Sequence, residues 1–377
     1  MTTTDLGPKN SKIFKPKSIL FAGGGTGGHI YPAIAIAKAI QEKSPQSQIC
    51  FVGTRAGLES KIVPREGYRL ELIDIGKLNH GGSLLGKLKT LLGIPIALWQ
   101  SFRLLRKLKP DFVLGVGGYA SGPVVLIARM LGIDCGFWEA NAVPGLTNRI
   151  LSRFVRVAFT VFPEARNLIN TPHVLNLGLP VRSSIEAIHN EPIVDRNLQE
   201  KFKILVFGGS QGARAINECF SRSAAVLAKN SNIEMFHQTG SLDYERISHH
   251  YQENAIRIQC SEYIHNMEDM YRWADLVICR AGAGTVTEIT ATKKVALFIP
   301  LPTAADNHQQ KNAESLVNKG AALMILQKDL SPEKLVEEIL RLKKDAHAMT
   351  IIRRNLEPLF QPRAAHYIAD EILHRAE

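Results

Sequence analysis

The sequence predicts an α/β fold made of two Rossmann-like domains that face a cleft. Short apolar runs alternate with helical stretches along the 377 residues, which is the pattern of parallel sheets covered on both faces. That length exceeds what one hydrophobic core usually organises, so two domains are expected. The two halves also begin alike, because the apolar runs 18–22 and 203–207 each lead into a glycine-rich turn and a helix. Ligands bind beyond the carboxyl ends of such strands, so the cleft is the expected site.

Runs of four to six mostly apolar residues, bounded by turn residues, mark the predicted strands. In the first half they are Ser18–Ala22, Gln48–Val52, Leu70–Ile75, Phe112–Val116, Cys135–Glu139 and Val157–Val161. In the second half they are Lys203–Phe207, Glu234–Thr239, Ile256–Gln259, Leu276–Cys279, Val295–Ile299 and Ala322–Ile325. Helical patterns fill most of the intervals, as connections between parallel strands require.

Changes in composition set the predicted domain limits. Residues 1–17 are polar and basic without an apolar segment, so we expect a disordered extension rather than a signal peptide. The N-terminal domain is predicted at 18–180 and the C-terminal domain at 201–348. A linker is predicted at 181–200, where Glu191-Pro192 and polar residues interrupt the pattern. The remaining segment, 349–377, is expected to be helical.

Composition and charge limit the classes of function. A hydrophobic content of 45% and a charged content of 21% are typical of soluble globular proteins. The net charge of +11 is concentrated in residues 1–180, which carry 22 Lys and Arg against 10 Asp and Glu, whereas residues 181–377 carry 24 against 25. This asymmetry predicts an anionic surface or ligand on the first half, and the lack of any RNP or zinc-finger pattern argues against nucleic acid. Five widely spaced cysteines are expected to be reduced thiols: Cys50, Cys135, Cys219, Cys260 and Cys279.

The turn Gly23–Gly28 is followed by His29 at the start of a helix. Glycine lets backbone N–H groups approach a ligand, and a helix N-terminus favours an anion. The turn also matches the GxGxxG dinucleotide fingerprint, but a nicotinamide site needs an acid at the end of the second strand, where the sequence is Gly53-Thr54-Arg55. We therefore favour a phosphate site. His29 either caps the helix or acts as a general base, and we favour the base because histidine titrates near neutral pH.

Two further segments of the first half carry candidate groups. Gly115–Pro123 is another glycine-rich turn after a strand, which suits an extended anionic ligand such as a diphosphate or is a simple βα turn. Glu139–Arg149 also follows a strand. Within it, Glu139 and Asn141 either point into a ligand crevice or serve turn and capping chemistry, and the residues alone leave both interpretations open.

The second half predicts nucleotide and sugar contacts. Gly208–Arg214 repeats the strand, glycine turn and helix, which predicts a second phosphate site. In Arg280–Glu288 small residues permit a ligand to approach the start of the helix closely. Glu288 either holds ribose hydroxyls or is an ordinary acidic residue of the helix. The adjacent amides of Gln309 and Gln310 suit sugar hydroxyls, or they belong to a solvated loop.

The stretch Gly76–Pro110 is basic and apolar and contains no acidic residue. Its basic residues run from Lys77 to Lys109 and interleave with large apolar residues. This pattern predicts contact with an anionic membrane surface, with Lys87–Ile96 as the favoured contact, and the alternative is a core-packed helix with a solvated basic face. The sequence contains no HExxH motif and no cluster of Cys and His, so neither a metal ion nor a cofactor is predicted.

Together these motifs resemble a known family, the peripheral-membrane N-acetylglucosaminyltransferases of peptidoglycan synthesis, which convert lipid I to lipid II. The matching segments run in order over most of the chain: Gly23–Pro32, Gly115–Pro123, Glu139–Arg149, Gly178–Arg182, Gly208–Arg214, Arg280–Glu288 and Ala305–Gln310. The family usually reads Glu-Gln-Asn where this chain has Glu139-Ala140-Asn141, a departure that affects only a contact beside Asn141.

The resemblance implies a glycosyltransferase B fold that needs no tightly bound metal. The first domain would take the lipid-linked acceptor and the second UDP-N-acetylglucosamine, with residues 349–377 crossing back to the first domain. It implies an inverting transfer in which the 4-hydroxyl of N-acetylmuramic acid attacks the anomeric carbon, with His29 as the expected base. It also implies a location on the cytoplasmic face of the bacterial plasma membrane.

The resemblance further implies which residues contact UDP-N-acetylglucosamine. Glu288 is expected on the ribose, the backbone of Ile264 on the uracil, and Asn141 on the sugar. The residues expected around the phosphates are Thr26, Gly27, Gly28, Arg182 and Ser210. The residues expected to complete the nucleotide loop and to bind sugar hydroxyls are Ala283, Gly284, Thr285, Val286, Thr287, Gln309 and Gln310.

Two other functions stay open at this point. A UDP-N-acetylglucosamine epimerase can share the two-domain fold, but it needs no lipid acceptor and would leave the acid-free segment without a role. A nucleotide-sugar-binding or membrane scaffold without catalysis would not need His29, Glu139 and Glu288 together.

Overall fold

The computed structural model describes residues 14–75, 84–194 and 197–377, and the side chains of these except at 84–92. The chain divides into two compact units. Unit 1 consists of the described parts of Met1–Ala140 with Pro144–Pro180 and Arg363–Glu377, and unit 2 consists of Asn141–Val143 with the described parts of Val181–Pro362.

Unit 1 is built on a seven-stranded parallel sheet. Its strands are β1 (Ser18–Gly23), β2 (Gln48–Gly53), β3 (Arg69–Leu72), β4 (Phe112–Gly117), β5 (Asp134–Glu139), β6 (Val157–Thr160) and β7 (His173–Asn176). They lie in the order β3-β2-β1-β4-β5-β6-β7. The central strands are apolar throughout because helices cover both of their faces, and Phe21 and Phe112 are fully buried.

The helices of unit 1 follow the strands as crossover connections. They are α1 (Gly27–Lys43), α2 (Glu59–Arg65), α3 (Leu84–Leu108), α4 (Ser121–Met130), α5 (Leu146–Leu151) and a 3₁₀ helix (Pro163–Leu168). The turns that enter α1 and α4 both leave the sheet at the carboxyl ends of neighbouring strands, β1 and β4. This neighbourhood brings two of the predicted glycine-rich turns together.

Unit 2 has a six-stranded parallel sheet in the order β10-β9-β8-β11-β12-β13. Its strands are β8 (Phe202–Phe207), β9 (Ile233–Gln238), β10 (Gln259–Ser261), β11 (Leu276–Cys279), β12 (Val295–Phe298) and β13 (Leu323–Met324). Its helices are α6 (Ser183–Ile188), α7 (Arg214–Leu227), α8 (Tyr244–Glu253), α9 (Met267–Trp273), α10 (Ala283–Thr292), α11 (His308–Val317), α12 (Pro332–Lys344) and α13 (Ala346–Leu356). Three 3₁₀ helices complete it: Ala305–Asn307, Gln327–Asp329 and Glu357–Leu359.

The last helix, α14 (Ala364–Arg375), belongs to unit 1 and packs on α1. The Lys43 ammonium lies 2.6 Å from a carboxylate oxygen of Asp370, and the Lys17 ammonium donates to the Ala376 carbonyl at 2.6 Å. The last helix is therefore tied to the first helix and to Lys17.

One predicted strand needs correction, and one strand was not predicted. The strand predicted at Ile256–Gln259 is wrong, because Ile256 closes the turn after α8 and packs into the core of unit 2 while the strand itself is Gln259–Ser261. Strand β7 was not predicted, since its four residues are at most half-buried and end in polar side chains.

The predicted linker at 181–200 is also wrong. Within it, α6 packs on α10 of unit 2, and Ile185 and Ile188 are buried. The polar residues of this segment belong to the exposed side of a short amphipathic helix, which was not predicted.

The predicted ends of the domains shift as well. The chain rejoins unit 1 at Arg363 rather than at residue 349, because Met349 is buried in the core of unit 2. Residues 14–17, expected to be disordered, are packed, and Phe14 is buried in edge-on contact with His374. Residues 1–13 of the predicted extension lie outside the described residues.

Candidate functional site

The first glycine-rich turn of unit 1 connects β1 to α1. Its Gly24 amide donates to the Gly117 carbonyl at 3.0 Å, which ties it to the turn after β4. Helix α1 then begins at Gly27 after Thr26, and Thr26 and Gly28 are exposed. The structure therefore places Thr26, Gly27 and Gly28 at the accessible N-terminus of a helix of 17 residues, a position that suits an anion.

His29 is half-buried in the first turn of α1. Its Nδ1 lies 3.1 Å from the Gly24 carbonyl oxygen and 3.4 Å from the Thr26 hydroxyl. A carbonyl only accepts hydrogen bonds, so Nδ1 carries the proton and the neutral ring keeps its lone pair on Nε2. A Cβ at Gly117, whose φ is +96°, would lie 3.0 Å from Nε2, so glycine at that position keeps space for the ring.

A buried acid, Glu59, supports this turn, and sequence reasoning missed it. It opens α2, and its side chain accepts from the Gly25 amide at 2.7 Å and from the Thr54 amide at 2.8 Å. The Gly25 amide is therefore committed to Glu59, and the expected phosphate contacts fall to the later part of the turn. The sequence does contain a signal, because Glu59 follows closely after the end of the second strand and lies two residues after Gly57.

The turn after β5 is organised by Glu139, which is buried. Its carboxylate accepts from the Gly145 amide at 3.1 Å and from the Asn148 side chain at 2.8 Å. These contacts support the turn-chemistry interpretation of Glu139.

Asn141 lies in the short segment assigned to unit 2. Its side-chain oxygen accepts from Asn312 of α11 at 3.1 Å, and the Asn312 oxygen accepts from the Ala142 amide at 2.9 Å. Asn312, which is fully buried, was not predicted, because its partners are far away in sequence.

Unit 2 contains a cavity of about 600 Å³ at the carboxyl edge of its sheet, within the usual size range of small-ligand pockets. The predicted residues Thr285 and Gln309 line it together with the β8–α7 turn. The lining residues are Gly208, Gly209, Gly212, Ala213, Arg214, Ala215, Glu218, Arg280, Gly282, Thr285, Leu301, Pro302, Thr303, Gln309 and Gln327.

Arg280 is the buried cation of this cavity. Its guanidinium donates to the carbonyls of Ile299 and Pro300 at 2.9 and 3.0 Å and to the Gln327 side chain at 2.7 Å. Burial lowers the pKa of the guanidinium. A positive charge held by neutral acceptors favours an anionic ligand in the cavity.

Gln238, at the end of β9, joins two predicted ligand segments. Its side-chain amide donates to the Gly209 carbonyl at 3.2 Å and to the Glu262 carbonyl at 2.9 Å. The first carbonyl belongs to the turn that contains Ser210, and the second lies two residues before Ile264. One buried side chain therefore fixes the spacing between the predicted diphosphate and uracil contacts.

Glu288 lies in the second turn of α10. The Tyr271 hydroxyl donates to its carboxylate at 2.9 Å. Burial raises the pKa of Glu288, while the Tyr271 hydrogen bond and the charge of Arg182 act in the opposite direction. Arg182 and Glu288 are thus brought into electrostatic contact, as expected for neighbours in one site.

The segment predicted as a nucleotide loop, Ala283–Thr287, is the start of α10. Val286 and Thr287 are buried, and the Thr287 hydroxyl donates to the Ala283 carbonyl at 2.9 Å, so their side chains serve the helix. Ala283, Gly284 and Thr285 form the first turn after Gly282 and offer their backbone at a helix N-terminus.

The two glutamines of α11 differ. The Gln309 oxygen accepts from the Leu301 amide at 3.0 Å, which orients its side chain along the wall of the cavity. The Gln310 amide donates to Glu314 at 2.8 Å, one helical turn along. Gln309 therefore lines the cavity, whereas the side chain of Gln310 is bonded along its own helix.

The predicted membrane segment is described from Leu84 onward, where it forms α3, and its side chains are described from residue 93 onward. Ile94, Ile96, Trp99 and Phe102 are exposed apolar residues, and the Arg103 guanidinium lies 4.7 Å from the centre of the Trp99 ring. Lys77 and the rest of 76–83 lie outside the described residues, as do the side chains of 84–92, so only the end of the favoured contact Lys87–Ile96 can be placed.

Within the part of the chain that the structure describes, no helix has the length and apolar character to span a membrane. Over the same residues, no group of His, Cys, Asp and Glu is arranged to hold a metal ion. All five cysteines are free thiols, and burial raises the pKa of Cys50, Cys219 and Cys260 to about 11, which is unsuited to a nucleophile.

Comparison with known proteins gives consistent matches in both units. Residues 19–160 match the glycosyltransferase family 28 N-terminal domain, and residues 203–361 match the glycosyltransferase family 28 C-terminal domain. The chain is 50% identical over 360 residues to a UDP-N-acetylglucosamine–N-acetylmuramyl-(pentapeptide) pyrophosphoryl-undecaprenol N-acetylglucosamine transferase of Bdellovibrio bacteriovorus, covering 95% of this chain and 99% of the relative. The enzyme of the same name from Myxococcus xanthus is 42% identical over 353 residues, which covers 93% of this chain and 91% of the relative.

Solved structures agree with this similarity. The crystal structure of Acinetobacter baumannii MurG superposes with a TM-score of 0.80 at 32% identity, covering 95% of this chain and 99% of that one. A UDP-GlcNAc 2-epimerase from Neisseria meningitidis, bound to UDP-GlcNAc, has a TM-score of 0.66 at 12% identity over 95% of this chain and 100% of that one, a likeness of fold alone. The predicted fold class is confirmed by these matches, and the chain belongs to glycosyltransferase family 28, with the UDP-N-acetylglucosamine–N-acetylmuramyl-(pentapeptide) pyrophosphoryl-undecaprenol N-acetylglucosamine transferases as its relatives.

Proposed function

We propose that this protein transfers N-acetylglucosamine, with inversion, from UDP-GlcNAc to the 4-hydroxyl of the N-acetylmuramic acid in lipid I. The product is lipid II, the building block of peptidoglycan. The observation that carries this proposal is the 50% identity, over nearly the whole length of both chains, to a relative named for that reaction. The cavity of unit 2, with its buried guanidinium and its phosphate-type turn, supports a nucleotide-sugar donor.

On the donor side, UDP binds unit 2. The N-termini of α7 and α10 and the charge of Arg182 face the diphosphate, with Ser210 in the turn between β8 and α7. Ile264 holds the uracil through its backbone, Glu288 accepts from the ribose hydroxyls, and Gln309 orients the sugar. Helix N-termini and a guanidinium that are already in place stabilise the negative charge that develops on departing UDP. Such electrostatic stabilisation usually supplies the largest share of an enzyme's rate enhancement.

In unit 1, Thr26, Gly27 and Gly28 face the phosphates of donor and acceptor, and His29 acts as the base. Neutral His29 has its lone pair on Nε2, because Nδ1 donates to the Gly24 carbonyl. That nitrogen takes the proton of the 4-hydroxyl as its oxygen attacks the anomeric carbon and UDP leaves from the opposite face. A positioned base contributes ~10²–10⁴-fold to such a rate.

The same proposal includes attachment to the cytoplasmic face of the plasma membrane. The exposed apolar side chains of α3 include Ile96 and Trp99, and Arg103 stacks on Trp99. Aromatic and basic groups side by side suit the boundary between headgroups and acyl chains of an anionic bilayer. A protein that binds there meets lipid I in the plane in which this acceptor diffuses.

The test is a transfer assay with radiolabelled UDP-GlcNAc and a lipid I analogue. Label that moves to the lipid supports the proposal, free epimerised monosaccharide would support an epimerase instead, and UDP-GlcNAc binding without turnover would support a scaffold. His29→Ala should lower turnover at least about a hundredfold. The control is His173→Ala, an exposed histidine of unit 1 that should leave turnover unchanged.

A further inference from the structure

The Glu59 carboxylate occupies a closely fitted site beside the first glycine-rich turn. The residue is 2% exposed. Its Oε2 accepts from the Gly25 amide at 2.7 Å, and its Oε1 accepts from the amide and the hydroxyl of Thr54 at 2.8 and 3.0 Å. Three donors around one buried carboxylate make a directed anion site rather than an incidental contact.

The surrounding glycines give the carboxylate its space. A Cβ on Gly24, Gly53 or Gly57 would overlap the Glu59 side chain. The chain therefore leaves three positions without side chains to bring this carboxylate against the backbone of the turn.

The peptide group between Gly24 and Gly25 links Glu59 to His29. Its N–H, on Gly25, donates to the carboxylate, and its C=O, on Gly24, accepts from Nδ1 of His29 at 3.1 Å. The carboxylate polarises the peptide, which makes the carbonyl a stronger acceptor. The Thr26 hydroxyl, at 3.4 Å from Nδ1, is the weaker partner of that nitrogen.

We propose that Glu59 is a positioning residue that acts on His29 through the Gly24–Gly25 peptide. Glu59 fixes this peptide, the peptide carbonyl holds the proton on Nδ1, and Nε2 keeps the lone pair directed away from the turn. The chain of contacts does for His29 what a carboxylate does in direct contact with a catalytic imidazole: it selects one tautomer and one ring orientation. The inference rests on the proposed role of His29 as the base.

The first experiment reads the tautomer of His29 without any turnover. Nitrogen-15 chemical shifts of labelled histidine side chains, with His29 assigned from the spectrum of His29→Ala, report which ring nitrogen carries the proton. We expect the Nδ1–H form in the wild-type protein and a mixture of both forms in Glu59→Gln. An Nε2–H form in the wild-type protein would overturn the proposal, whatever the fate of the variant.

The second experiment separates positioning from stability. Glu59→Gln removes one acceptor from the turn, and Thr54→Val removes the hydroxyl donor to the same carboxylate while the Thr54 amide remains. Both should lower the melting temperature. Glu59→Gln should also lower kcat with the lipid I analogue about tenfold or more, with little change in the KM for UDP-GlcNAc, because most of the expected donor contacts lie in unit 2.

Thr54→Val should keep both turnover and the Nδ1–H form. If Thr54→Val loses as much turnover as Glu59→Gln, or if Glu59→Gln keeps the wild-type tautomer, Glu59 has only a structural role. If His29→Ala keeps normal turnover, the base assignment fails by itself, while the tautomer spectra still decide whether Glu59 controls His29.

Discussion

His237 lies in the core of unit 2 with both ring nitrogens engaged. Asn217 donates to the Thr239 carbonyl and to Asp243, each at 2.9 Å, so its side-chain oxygen must accept from Nε2 of His237 at 3.1 Å. Nδ1 then accepts from the Tyr251 hydroxyl at 2.8 Å. These contacts suit a neutral ring. A second proton, on Nδ1, would bring a positive charge into the core and face the Tyr251 hydroxyl that donates to this nitrogen.

This arrangement makes unit 2 sensitive to acid. Burial lowers the pKa of His237 from 6.5 to about 3, with nearby Asp243 acting weakly in the opposite direction. The unfolded chain takes up the proton near pH 6.5 and the folded chain does not, so this contribution to stability is complete above pH 6.5 and is lost as the pH falls toward 3. The loss is about 1.4 kcal/mol per pH unit, or about 2.7 kcal/mol by about pH 4.5.

His237→Gln keeps a donor and an acceptor in place and removes the titration. We expect the variant to be less stable than the wild-type protein at about pH 7.5 and to lose about 2.7 kcal/mol less on going to about pH 4.5. Chemical denaturation of both proteins at the two pH values measures this difference. The contributions of the other titrating groups cancel, because they are the same in both proteins. Equal losses in the two proteins would refute the reasoning.

Variants at three other positions test ligand binding, stability and the membrane contact. Gln238→Met breaks two hydrogen bonds and should weaken UDP binding about tenfold by calorimetry, whereas Gln252→Met, on an exposed helix surface, should not; equal affinities would rule out the spacing role. Because burial raises the pKa of Glu288, its ionised form costs folding free energy as the pH rises through that pKa, so Glu288→Gln should raise the melting temperature at neutral pH and not below about pH 4. The same variant should weaken UDP binding about tenfold, and an unchanged affinity would remove the ribose role. Trp99→Ser should reduce binding to phosphatidylglycerol vesicles about tenfold, with exposed Leu242→Ser of unit 2 as the control, and equal binding of the two variants would move the membrane contact elsewhere.

Much of the fold follows from local pattern. Buried parallel strands are apolar throughout, so β1, β4, β8 and β11 could be located within one residue at each end. Local pattern fails at the sheet edge, where β7 is half-exposed and polar residues replace apolar ones. It also fails where a residue such as Ile256 is buried from a turn, because burial there comes from tertiary packing rather than from strand formation.

The residues of the site also differ in how far the sequence predicts them. Glycine turns and helix starts could be predicted, since their chemistry lies in adjacent residues. The residues that support them could not be, because Glu59 acts on Gly25 and Asn312 on Asn141 across long stretches of chain. The side chains of Val286 and Thr287 are buried, which could not be predicted, because the position of a residue in a motif does not reveal which side of the helix its side chain occupies.

The packing of α14 on α1 has a consequence for biosynthesis. Ile368, Ile372 and Leu373 of α14 are fully buried in unit 1, yet every residue of unit 2 is translated before them. Unit 1 is therefore begun first, yet it cannot complete its core until α14 has been synthesised. A premature stop codon just after Pro362 would spare unit 2 and leave unit 1, which carries His29, without its last helix.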